Sequence, residues 1–163
     1  MSERTKPRGL GPSVGAVAAG FVATALLSLG ADVVMHATRV FPPWGQPMSD
    51  GLFVWATVYR LAFTVLGGFI TGWMAPRKPM AHVLVLGAVG VVAASAGALA
   101  TWNQGPEFGP KWYPIALVVT ALPCVWAGGV LAGASGKIEP VPFSYRSSAP
   151  GLTKVNGVDG GNG

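Results

Sequence analysis

Between Lys111 and Lys137 the chain carries no charged side chain, and three further long apolar stretches precede that one. A helix needs about 20 mostly apolar residues to cross the hydrocarbon core of a bilayer. The sequence supplies four such segments, at residues 12–36, 51–74, 80–102 and 112–134. The pattern predicts an all-α membrane protein, a four-transmembrane-helix bundle with lipid as its solvent. Residues 1–11 read as a short basic cytoplasmic lead-in and 12–136 as the transmembrane domain. Residues 137–163, rich in Pro, Ser, Gly and Asn, read as a disordered cytoplasmic tail, a composition that cannot bury a core.

Hydrophobic residues make up 51% of the chain and charged residues 10%, against about one quarter charged in soluble globular domains. The 24 glycines follow no collagen period. In lipid, small residues let helix backbones approach where hydrophobic drive is lacking. A net charge of +5 raises the question of nucleic acid, but the eleven basic residues are scattered at the ends of the spans, without interleaved aromatics. No nucleic-acid partner is expected. Arg4, Lys6, Arg8, Arg77, Lys78, Lys137, Arg146 and Lys154 fall on one side of the membrane, Arg39 and Lys111 on the other, and Arg60 inside a span. The positive-inside rule then puts both termini in the cytoplasm. The first span is too long for the apolar core of a signal peptide and lacks a good cleavage site at Ala37 to Arg39, so it reads as a retained helix. Cys124, alone of its kind, permits no intramolecular disulfide.

The second and fourth spans end alike, with Gly67, Gly68 and Gly72 in one and Gly128, Gly129 and Gly133 in the other. Each carries a Gly-x-x-x-Gly face, a groove that a neighbouring backbone can enter. The first and third spans share an opening, Gly15, Ala16, Val17 against Gly87, Ala88, Val89. Together these suggest a two-plus-two repeat of helix hairpins, with chance recurrence of small residues as the competing reading. Glycine faces also suit docking on a second copy or on a membrane-protein partner.

Ionisable groups inside a span are expensive and face a partner or a watery cavity. Asp32 and His36, four residues apart, share one face of the first helix near its outer end, and Tyr59 and Arg60 lie about two turns inside the second. An Asp32 and Arg60 pair is the leading contact expectation, with Tyr59 or His36 completing a buried polar cluster. The functional version makes this cluster the wall of a cavity for a proton, an anion or a small solute. The structural version makes it a pin between two helices.

Arg77 and Lys78, between Pro76 and Pro79, form a short cytoplasmic turn that would attract anionic lipid head groups at about 1 kcal/mol per charge, or act only as a topology signal. The two histidines, His36 and His82, fall at opposite faces of the membrane, about 30 Å apart, so they cannot share an ion. Neither a metal site nor a cofactor is expected. Glu107 and Lys111, beside Trp112 and Tyr113, would make at most a shallow site, and no catalytic constellation accompanies them. Pro123 predicts a kink in the fourth span.

The double glycine and following Ala75, Pro76, Arg77 and Pro79 in residues 67–79, taken with Gly109, Pro110, Trp112, Tyr113, Pro114 and Pro123, carry a resemblance. Over residues 59–133 the chain resembles uncharacterised small four-helix integral membrane proteins of bacteria. The resemblance implies a bacterial plasma (inner) membrane location. Small multidrug-resistance transporters, also four-helix, place a Glu within the first helix, which this chain lacks; Asp32 lies too near the outer end. Two functions remain. One is a noncatalytic accessory or assembly subunit docking through its glycine faces. The other is a small transporter or channel using Asp32, His36 and Arg60. A cavity reaching Arg60 would discriminate between them.

Overall fold

A computed structural model describes residues 11–135; the expectations for the lead-in before residue 11 and for the tail beyond 135 lie outside the described residues. The elements are α1 (Gly11–Ala37), α2 (Asp50–Met74), α3 (Pro79–Thr101) and α4 (Trp112–Ser135), with a short 3-10 turn at Pro106–Phe108. No strand occurs among the described residues. All four long helices are long and apolar enough to cross a membrane. Their bounds fall within one residue of the four apolar segments.

Local chemistry sets the breaks. Arg39 adopts a left-handed backbone with φ 60° just past α1, and Pro42 and Pro43 keep the helix from resuming. Asp50 opens α2, where its charge suits the positive end of the helix dipole. Pro76 stops α2, Lys78 turns through φ 47°, and Pro79 starts α3 at the position where a missing N–H costs least. Pro123 sits inside α4 and leaves the Val119 carbonyl without its helical donor.

The bundle therefore has a loop end, with the α1–α2 and α3–α4 connections, and a turn end, with the tight α2–α3 connection. The largest helix contact is between α2 and α4; α3 packs on α4, and α1 on α2. Glycine brings α2 and α4 to backbone distance. A Cβ at Gly68 would run into the Val125 carbonyl, and one at Gly128 into the Val65 carbonyl. Across α1 and α2, Gly20 and Gly67 face Thr71 and Thr24 respectively. Thr71, fully buried, donates to the Ala16 carbonyl at 3.2 Å, and Thr24 donates to the Phe63 carbonyl at 3.2 Å. These contacts fasten α1 to α2, whereas α1 makes little contact with α4. Toward the turn end Val83, Leu86 and Val125 form a buried apolar cluster, with Val17 packed on it.

Candidate functional site

Tyr59 and Arg60, consecutive on α2, both reach Asp32 of α1. The Tyr59 hydroxyl donates to Asp32 Oδ1 and the Arg60 guanidinium, through Nη2, to Oδ2. Each carboxylate oxygen thus has its own donor, and the Asp32 side chain is only 14% exposed. A carboxylate removed from water is tolerated when a cation and hydrogen bonds replace the lost hydration. At the loop end the pair lies beneath an apolar cap in which Phe41, from the α1–α2 loop, is buried with Ala56 and Tyr59, flanked by Met35, Leu52 and Tyr113.

His36 does not join this cluster. Its Nδ1 donates to the Asp32 backbone carbonyl at 2.8 Å, not to the carboxylate. The ring lies flat on Trp44, centroids 3.7 Å apart and planes within 4°, and meets Phe41 edge-on. Helical spacing put Asp32 and His36 on one face, but stacking with the loop aromatics turns the imidazole away. The polar cluster is Asp32, Tyr59 and Arg60.

From the ion pair toward the turn end runs a cleft of about 400 Å³, bounded by all four helices. Asp32 and Arg60 form its head, while Leu86 and Val125 close the other end as part of the buried apolar cluster. Between them lie mostly apolar side chains, among them Phe21, Ala25, Leu29, Leu61, Ala94 and Leu117. Thr24, Ser28, Thr64 and Thr120 also line it; the threonine hydroxyls donate to the carbonyls of Gly20, Arg60 and Ala116 one turn back, at 2.9, 2.8 and 2.6 Å, and Thr24 also reaches the Phe63 carbonyl at 3.2 Å. The wall is mostly apolar, with Ser28 one turn from Asp32. The space exists because α1 is drawn in at Gly20 yet hardly touches α4, and because α3 presents Gly90, Ala93 and Ala94 there. A Cβ on Gly90 would meet nothing within 4 Å.

Of the glycines singled out in the sequence, Gly67, Gly68, Gly72, Gly128 and Gly129 all sit against neighbouring helices. Gly129 faces Val83, where a Cβ would come within 2.8 Å, and Gly72 faces Ala132, at 3.0 Å. Gly133 does not belong with them: it is exposed, and nothing approaches it within 4 Å. The α4 motif is read through Gly128 and Ala132, because the helix turns Gly133 off the α2 face. Arg77 and Lys78 are exposed on the turn. Lys111 Nζ lies 5.4 Å from the centre of the Trp102 ring and makes no ion pair with Glu107. Sequence reading missed the packing roles of Gly20, Thr24, Thr71 and Gly87, the last noted only in the opening shared by the first and third spans and here packed on Leu122. The signal was present as Gly20-x-x-x-Thr24 and Gly67-x-x-x-Thr71, since Thr counts among the small residues of helix interfaces.

No protein-family model, no curated protein and no solved structure matches the chain.

Proposed function

We propose that this is an integral protein of the bacterial plasma membrane that holds a small ligand in the cleft headed by Asp32 and Arg60, as the binding site of a small transporter or carrier. The observation that carries the reading is the cleft itself, of about 400 Å³ and reaching both members of the ion pair. That volume lies within the range of about 300–1,000 Å³ for ligand sites, which are mostly apolar with a few polar groups that fix orientation. Membrane residence is supported by the breadth of exposed apolar surface: Leu26, Leu29, Val92, Leu99 and Val119 are each more than half exposed, beyond what a soluble monomer tolerates. The distribution of basic residues supports a cytoplasmic position for both termini. The reciprocal glycine contacts of α2 and α4 support a two-plus-two repeat.

The test is to purify the full chain from native membrane and extract its bound small molecules. Gly90→Leu adds bulk to the cleft wall at a position where a Cβ meets nothing within 4 Å. The wild type should yield a species that Gly90→Leu lacks; identical extracts would remove the binding site.

The accessory or assembly role is the second reading, since Gly15, Gly97 and Gly133, outside the cleft, have no neighbour within 4 Å and leave grooves for a second copy or another membrane protein. Cross-linking in native membrane tests it. A discrete adduct lost on Gly97→Leu favours docking, and monomer alone opposes it.

A further inference from the structure

Resting on the binding-cleft reading, we propose that the ligand is an uncharged single-chain amphiphile, its hydrogen-bonding head at Arg60 and Asp32 and its chain lying along the cleft toward Leu86 and Val125. Shape is the first argument. The wall runs on α1 from Asp32 back to Phe21 and on α3 from Ala94 back to Leu86, about 16 Å and about 12 Å of helix at 1.5 Å per residue. A cleft of that length with a volume of about 400 Å³ is narrow. It suits one extended chain and is too small for a two-chain lipid.

Wall chemistry is the second argument. With the hydroxyl protons of Thr24, Thr64 and Thr120 given to helix carbonyls and Ser28 lying close to the head, a ligand polar along its length would give up water and find few partners toward the turn end, which costs free energy for every unpaired group. A hydrocarbon chain loses nothing there. Polar capacity is concentrated at the head. Arg60 offers five N–H donors in all, of which one nitrogen serves Asp32 and Nε is itself buried, so the spare donors for a ligand are those of the Nη groups. Each Asp32 oxygen keeps lone-pair capacity beyond the single bond it accepts. A hydroxyl, ester or amide, which both donates and accepts or accepts alone, matches that supply.

Charge is the third argument. Asp32 and Arg60 cancel, so the head of the cleft is neutral as it stands. A carboxylate or ammonium ligand would add an uncompensated charge at low dielectric or have to break the pair, and both are unfavourable. An uncharged head needs neither.

The experiment uses the full chain in nanodiscs and three photoreactive probes with the same lauryl chain and a diazirine at its tip. They are a monoacylglycerol, a carboxylate and a trimethylammonium. The monoacylglycerol should label saturably, in peptides containing Phe21 or Leu86, about tenfold more tightly than either charged probe. Gly90→Leu should abolish this labelling, and Gly97→Leu, on the same helix but outside the cleft, should leave it intact. Should Gly90→Leu lower the melting temperature, Ala94→Phe takes its place. Preferential labelling by a charged probe, still lost in Gly90→Leu, would overturn the uncharged class while leaving the cleft as a binding site. Labelling by every probe that ignores Gly90→Leu would overturn both.

Discussion

Arg60 of α2 donates to Asp32 of α1 in the one ion pair among the described residues, and the pair heads a cleft whose wall is otherwise mostly apolar. The relationship resolves the two most expensive groups in the helices at once. It also joins the two helices at a level where glycine does not. Nearer the turn end, α1 and α2 are held by Thr71 and Thr24 on opposing carbonyls; above that, Arg60 and the Tyr59 hydroxyl, both on Asp32, are the polar ties between them.

Tyr59→Phe removes one of the two donors on Asp32 and keeps the ring in its apolar surroundings. The unfolding free energy in detergent should fall by about 1 kcal/mol, the order of a single hydrogen bond in this setting. No change on denaturant titration would mean that the hydroxyl is not engaged.

Glycine substitutions should separate by position. Gly128→Ala and Gly68→Ala drive a methyl into the Val65 and Val125 carbonyls and should each cost about 1–3 kcal/mol, as overpacking does. Gly133→Ala meets open space and should stay within about 0.5 kcal/mol of the wild type. Equal losses at all three sites would break the packing account.

His36 should behave as part of the loop rather than of the ion pair. Trp44→Ala, which removes its stacking partner, should cost about 0.5–1.5 kcal/mol. His36→Phe and Asp32→Asn should be additive to within about 0.5 kcal/mol. Strong coupling between them would return His36 to the carboxylate.

Orientation is tested by thiol labelling in intact cells, in a Cys124→Ala background. Gln104→Cys, in the α3–α4 connection, should react with an impermeant reagent, and Ser147→Cys should be shielded. The reverse pattern would invert the topology.

Much of this was legible in the sequence for physical reasons. Long apolar stretches of spanning length define the helices almost to the residue, because a helix is the cheapest way to satisfy backbone groups in an apolar segment. Asp32 and Arg60 were legible as partners because each is an isolated charge on adjacent antiparallel helices. His36 was not, because spacing reports the face of a helix and says nothing of Trp44, a loop residue whose placement depends on the chain path through Pro42 and Pro43. Gly133 was misread for a related reason: two adjacent glycines on α4 start overlapping motifs, and only the rotation of the helix against α2 decides that Gly128, with Ala132, carries the contact. The cleft itself lies in no single residue. It follows from what α1 fails to touch.

Whether Asp32 and Arg60 engage each other or act alone is read out by a double-mutant cycle of Asp32→Asn and Arg60→Gln on unfolding in detergent. An arginine keeps its charge, and in a membrane, snorkelling to the surface would be its alternative to pairing. The account predicts a coupling of about 0.5–2 kcal/mol between the two substitutions. Additive effects would contradict it.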